Sequence, residues 1–268
     1  MRLFLLIIAV LSLAMMFSFA EAGTQTVGTV AVSPSPIDLT AGSTKTVSCS
    51  ATVADAIDWN NIATVNATFW DAVYSSETAA DDSSVHYANT SCSIGTNTSL
   101  TEAPATCTFG LQYYANASTW TCKINSFDAS VNSASNLTNA TVNSLAALDV
   151  TEATIDFGTL ALGATSSSDV TATVQNTGNT QIDVQLSGNA MSCTSGSLAQ
   201  ENIHYSASSG VAYGSMTTLT GTAITLDLNV AKSTGSASTS LSYWKISLPS
   251  SGVGGTCTNT ITFSGVAG

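Results

Sequence analysis

Thr46-Val47-Ser48-Cys49-Ser50-Ala51-Thr52-Val53 alternates a small polar residue with an apolar one through eight positions. Successive strand residues face opposite ways, so this pattern makes one buried and one wet face and decides for β-structure. The same alternation returns in Trp120, Cys122 and Ile124, in Ile182, Val184 and Leu186, and in Ile224, Leu226, Leu228 and Val230. Tyr243-Trp244-Lys245-Ile246-Ser247-Leu248 and the run from Thr258 to Phe263 read alike. Only Ser144 to Val150 has a helical cast, and it is too short to nucleate a helix unaided. Short strands separated by Gly, Pro, Asn and Ser punctuation predict an all-β chain built of sandwiches.

The ends bound the setting. Met1-Arg2 precedes an uncharged apolar run from Leu3 to Ala20, then Ala20-Glu21-Ala22 before Gly23. A positive start, an apolar stretch and a small-x-small box are the layout of a secretory signal peptide over residues 1–22, cleaved after Ala22. The run is long enough that a retained membrane anchor is the competing reading. Six cysteines, even in number and without a C-x-x-C pair, then read as disulfides of an oxidising compartment rather than as a metal site.

Beyond Arg2 the cations are Lys45, Lys123, Lys232 and Lys245, and the net charge of the 268-residue chain is −12. Such a surface repels nucleic acid and anionic lipid, so nucleic-acid binding is excluded and a membrane partner requires the anchor to be kept. N-x-[Ser/Thr] sequons stand at Asn66, Asn89, Asn97, Asn116, Asn136 and Asn139, and none follows residue 141. That asymmetry predicts one glycosylated domain, residues 23–150, and one bare domain, residues 151–268, with the boundary near Leu148 to Thr154.

In the second half, Phe157-Gly158-Thr159-Leu160, Gly163 and Val170-Thr171-Ala172-Thr173-Val174-Gln175-Asn176-Thr177-Gly178-Asn179 resemble the immunoglobulin-like modules of the abnormal-spindle/hydin type, over about 40 residues. The resemblance implies a strand opening at Ile155-Asp156-Phe157-Gly158. It also implies a hairpin at Asn176-Thr177-Gly178-Asn179, where Asn and Gly would supply positive φ. The first half is similar to a conventional immunoglobulin-like domain: Cys49 on an early strand, Cys122 on a late one, and Trp120 two residues before it. No tryptophan follows soon after Cys49, where such domains carry their third-strand tryptophan. That likeness implies Cys49–Cys122, leaving Cys92–Cys107 as a local staple and Cys193–Cys257 as a tie across the middle of the second domain. The whole resembles secreted tandem immunoglobulin-like proteins of archaeal and bacterial cell surfaces.

Chemistry is thin. The two histidines, His86 and His204, read as exposed strand residues, one per domain, and no catalytic residue is assigned. Ser242-Tyr243-Trp244-Lys245 spells S-x-x-K on a strand, where that motif does not work, and Lys232-Ser233-Thr234-Gly235 precedes it in the wrong order. Asp55, Asp58 and Asn60 cluster oxygens in one loop and are calcium candidates, against the plainer reading of a turn. Trp59 is the loop aromatic that a sugar platform would use. Together these readings point to a non-enzymatic, cofactor-free extracellular structural or adhesion protein, with envelope proteins or glycans as partners. The alternatives are a filament subunit that donates residues Gln25 to Val32 as a strand, hence self-association, and a carbohydrate-binding module.

Overall fold

The computed structural model describes residues 23–130 and 132–268. The leader segment 1–22 and its cleavage box lie outside the described residues.

Nine strands form the first body: β1 (Gln25–Val27), β2 (Ala31–Ser33), β3 (Thr44–Asp55), β4 (Ile62–Asp71), β5 (His86–Asn89), β6 (Ser93–Ile94), β7 (Glu102–Gln112), β8 (Ser118–Asp128) and β9 (Ser133–Val142). They make two antiparallel sheets, β1-β3-β7-β6 with β2 also on β3, and β5-β4-β8-β9. The alternation explains how they meet. Val47, Cys49, Ala51 and Val53 from β3 and Ala105, Cys107, Phe109 and Leu111 from β7 point inward. Val65, Ala67 and Phe69 from β4 and Trp120, Cys122 and Ile124 from β8 face them. Phe69 lies 5.1 Å from Trp120 and 5.7 Å from Phe109, ring centre to ring centre, a tilted aromatic cluster in mid-core. Full burial of one such side chain stabilises by about 1.5–3 kcal/mol.

The second body holds β10 (Leu148–Val150), β11 (Val170–Asn176), β12 (Ile182–Gly188), β13 (Met191–Ser195), β14 (Ser197–Leu198), β15 (Ile203–Ser206), β16 (Thr217–Thr218), β17 (Ile224–Val230), β18 (Ser238–Ile246), β19 (Gly254–Thr258) and β20 (Ile261–Ala267). The sheet β10-β11-β18-β15-β16 faces the sheet β17-β12-β20, and β14-β13-β19 forms a small side sheet. Its separate core contains Val174, Ile182, Val184, Leu186, Tyr205 and Trp244. Among the described residues helix is limited to three single 3₁₀ turns, so the chain is all-β, two β-sandwiches in tandem.

Several expectations need correcting. Ser144 to Val150 is not helical; Leu148 pairs with Asn176 and Val150 with Val174, so β10 belongs to the second body's sheet. Ile155-Asp156-Phe157-Gly158 is not a strand; Ile155, Phe157 and Leu160 pack irregular backbone onto the second core instead. Asn176-Thr177-Gly178-Asn179 is not a hairpin, because β11 and β12 lie in different sheets. None of its four residues has a positive φ. Gly178 is required for closeness: a Cβ there would stand 2.0 Å from the carbonyl oxygen of Leu145.

Candidate functional site

Three aspartates share one construction. Asp55, Asp71 and Asp128 end β3, β4 and β8, and each continues the inward parity of its strand into the buried interior. Each then accepts the N–H two residues on: Ile57 at 2.8 Å, Val73 at 2.9 Å and Ser130 at 2.8 Å. The carboxylates thereby close the turns that leave the core, which is how a buried charge is tolerated.

Asp55 carries the heaviest load. Its Oδ1 accepts from the Ile57 and Asp58 N–H groups and from Asn61 Nδ2, and its Oδ2 from Gln25 Nε2 at 2.7 Å. Burial opposes its charge, yet the hydrogen bonds from Ile57, Asp58, Asn61 and Gln25 outweigh that and hold its pKa below the ordinary aspartate value. Asp58 caps the 3₁₀ turn Trp59–Asn61, its Oδ1 accepting from the N–H and the Nδ2 of Asn60. Of the calcium candidates, Asp55 spends both carboxylate oxygens and Asp58 its Oδ1 on N–H donors, while Asn60 enters the loop as the donor to Asp58. Trp59 is half-buried against the first core.

The histidines differ from the sequence reading. His86 is buried, not exposed: the Glu77–Asp82 loop folds over it, placing Asp81 Oδ1 3.0 Å from Nδ1 and the Glu77 carbonyl 3.2 Å from Nε2. Lys123 from β8 holds that loop by pairing with Glu77 at 2.7 Å. His204 is half-buried, stacked on Tyr213 at 3.9 Å and bonded through Nδ1 to the Tyr213 carbonyl and through Nε2 to Thr218. The hydrogen-bond partners of His86 include no hydroxyl or thiol; His204 meets the Thr218 hydroxyl, but its other nitrogen is bonded to a main-chain carbonyl rather than to a carboxylate. Ser242 Oγ donates to the Ala172 carbonyl and accepts from Trp244 Nε1, while Lys245 Nζ donates to the Val211 carbonyl and pairs with Asp169 at 3.3 Å.

The disulfides are Cys49–Cys122, Cys92–Cys107 and Cys193–Cys257. The first joins the two sheets of the first sandwich through fully buried cysteines, and Cys107 lies directly opposite Cys49 on β7. The third does not tie the second sandwich across its middle. Cys193 and Cys257 are opposed on neighbouring strands of the small side sheet.

A seam joins the two bodies, and no local pattern of residues announces it. Asn179 Nδ2 donates to the Ala115 carbonyl at 2.9 Å and to the Asn143 carbonyl at 3.0 Å, and its Oδ1 accepts from the Leu145 N–H at 2.7 Å. The Gly42 N–H donates to the Thr177 carbonyl at 2.9 Å. Lys232 reaches from the second body to Asn116 Oδ1, while Asn116 Nδ2 donates to Asp71 Oδ2 at 2.8 Å. Burial pushes the Lys232 ammonium below its usual range, against the opposing pull of Asp71 and Asp82. Asn116 is a sequon residue, so one of the six lies inside the seam. Asn97, Asn136 and Asn139 are exposed, and Asn66 and Asn89 half-buried.

One further concavity of about 670 Å³ opens between β10 with the irregular segment after it and β20, lined by Leu148, Ile155, Phe157, Ile261 and Phe263 beside Asp149 and Asp156. β10 and β20 are edge strands, each paired on one side within its sheet.

No family model matches the chain, and no curated protein matches it. Among solved structures it is similar to a protein studied for the "structural basis for the promiscuous specificity of the carbohydrate-binding modules from the beta-sandwich super family". The two are 13% identical, the alignment covers 91% of this chain and 97% of that one, and the TM-score is 0.29. A superposition that loose carries nothing about this chain's ligands.

Proposed function

We propose that this chain is a non-catalytic extracellular protein: two immunoglobulin-like sandwiches coupled end to end, serving as a structural and adhesive component of a cell surface or envelope. The seam carries the reading. Burying Thr177, Gly178 and Asn179 between two bodies, with every amide of Asn179 engaged, holds one sandwich against the other, which suits bearing load more than it suits turnover. The disulfides support an oxidising setting. Both histidines and the S-x-x-K serine are consumed by structural bonds. The test is fractionation and electron microscopy of cells that make the protein, together with ester, peptide and glycoside assays. Envelope-bound protein without turnover is expected; turnover abolished by replacing His86, His204, Asp55 or Asp58 overturns the reading.

The open edge of the second sandwich favours a second reading, a filament subunit. An extended segment of another copy could pair with β20 and fill the groove beside Phe263. The candidate donor, Gln25 to Val32, is paired with β3 of its own sandwich here, so donation would require its release. Open-ended oligomers that vanish when residues 24–32 are deleted would establish this reading; a monomer with a destabilised first sandwich on that deletion would dismiss it.

A further inference from the structure

Gly23, next to the Ala20-Glu21-Ala22 box, is buried. A Cβ on it would lie 2.3 Å and 2.4 Å from the two carboxylate oxygens of Asp55, so the backbone comes against that carboxylate where no side chain fits. Asp55 is itself fully buried, and all four of its hydrogen-bond donors are neutral. A buried carboxylate is costly without a cation, and among the described residues none faces this one. Lys45 sits at the far end of β3, opposite Leu111. Lys123 is on Glu77, Lys232 on Asn116 and Lys245 on Asp169. The charged groups contributed by the neighbouring elements are anions: Asp55 itself, Asp58 in the loop after β3, Glu102 on β7 opposite Ala54, and Asp128 ending β8. A cavity of about 260 Å³ lies beside Gly23, lined also by Thr24, Gln25, Asn132 and Ser133.

We propose that hydrolysis of the Ala22–Gly23 bond supplies the counter-ion: the new α-ammonium of Gly23 pairs with Asp55 and completes the first sandwich. The inference rests on the export reading. Water adds across one peptide bond, leaving Ala22 a carboxylate and Gly23 an ammonium, with no other reactant. Gln25 transmits the pairing to the opposite sheet, since its Nε2 holds Asp55 while its Oε1 accepts from Ser126 Oγ on β8 at 2.9 Å. Leader removal thus adds a charge pair at the point where β1, β3 and β8 meet, and an unprocessed chain lacks it.

The pH dependence follows from the signs. Pairing raises the α-amine above its ordinary value of about 8, so its contribution is full below that pH and is lost as pH rises through the raised value. Asp55, held low, contributes above the ordinary aspartate range and loses its share only as pH falls through its lowered pKa.

The experiment is N-terminal mass spectrometry of the exported protein, then thermal unfolding from pH 5 to 10 of four chains: residues 23–268, the same chain with one alanine in front, and each of these with Asp55→Asn. A Gly23 terminus is expected. The added alanine should lower the Tm of the first sandwich by roughly 4–8 °C near pH 7, a gap that closes as pH rises and is absent in Asp55→Asn. Should Asp55→Asn fail to fold, acylation of the α-amine at neutral pH decides, slow in the Gly23 chain and ordinary in the extended one. A mature terminus elsewhere, or superimposable pH curves for the two N-termini, overturns the pairing and leaves export standing. An unprocessed intracellular chain overturns export itself.

Discussion

The two sandwiches solve the same packing problem in opposite ways. The first closes on itself: its sheets are joined through mid-core by Cys49–Cys122, and its strand ends are sealed by the buried carboxylates of Asp55, Asp71 and Asp128. The second keeps its disulfide on a half-buried side sheet and leaves edge strand β20 beside a groove of mixed apolar and acidic lining. All six sequons fall on the closed sandwich. Both bodies end in edge strands, so what sets them apart is where the cross-link and the buried carboxylates sit.

The strongest way to break this comparison is to remove the covalent ties. Loop closure alone makes Cys49–Cys122 and Cys193–Cys257 nearly equal, since they span 73 and 64 residues. Burial makes them unequal. Replacing Cys49 and Cys122 by alanine should cost about 4–6 kcal/mol, because a core cavity adds to the lost cross-link. Replacing Cys193 and Cys257 should cost about 2–3 kcal/mol. Calorimetry of the two double variants measures both, and equal losses would mean that the side sheet is as integral as the closed core.

The seam decides whether the difference between the bodies is also an independence. Gly178→Ala drives a methyl group into the Leu145 carbonyl and should cost about 2–4 kcal/mol, mostly as lost coupling. One calorimetric transition in the parent should become two. Asn179→Ala, which strands the Ala115 and Asn143 carbonyls and the Leu145 N–H, should do the same at about 1–3 kcal/mol. A single unchanged transition in both variants would show that the sandwiches unfold together for another reason.

Glycan occupancy sharpens the contrast without changing stability. If folding precedes modification, Asn116 should be the least occupied sequon. Its Nδ2, the atom a glycan would take, is committed to Asp71, and the hydroxyl of Ser118 in the same sequon is buried. Mass spectrometry of the six peptides measures this; full occupancy at Asn116 with a single unfolding transition would remove Asn116 from the seam.

How far the sequence could be read follows the same division. Strands with one wet face announced themselves by period two, so β3, β8, β12, β17 and β18 were legible, while the cysteine pairing came only from the immunoglobulin likeness. Asp55 was legible too, had parity been followed one step further: it continues the inward row of Val47, Cys49, Ala51 and Val53. The turn at Gly178 was misread because a glycine demanded by close approach looks the same as one demanded by positive φ. Ile155 and Phe157 are expected on a strand only through the resemblance, and irregular chain lying on a sheet packs apolar residues onto a core just as well. The burial of His86 depends on a loop that doubles back from Asp82, and no local pattern carries it. The seam is the least legible feature, since its partners, Gly42 and Ala115 with Thr177 and Asn179, are far apart in sequence.

The smallest expected effect sets a half-buried tyrosine against a fully buried one. In the first sandwich Tyr87 Oη donates to the Ser83 carbonyl at 2.5 Å and accepts from the Gln112 N–H at 2.9 Å. In the second, Tyr205 is fully buried against Trp244, and its hydroxyl has no protein partner among the described residues. Removing a bonded hydroxyl strands its partners, whereas removing an unbonded one relieves a desolvated group. Tyr87→Phe should therefore destabilise by about 1 kcal/mol, and Tyr205→Phe should be neutral or stabilise by a similar amount. Burial pushes the Tyr87 phenol up to about 12 and the Tyr205 phenol upward as well. Both stay protonated in the folded chain after the unfolded phenols have ionised near pH 10, so stability should fall as pH rises from about 10 toward 12. Each Phe substitution should flatten its share of that fall. Denaturant titration of the two variants at pH 7 and pH 11 gives all four numbers, and a loss at Tyr205→Phe equal to that at Tyr87→Phe would mean that its hydroxyl is satisfied in solution and that the second core is as well finished as the first.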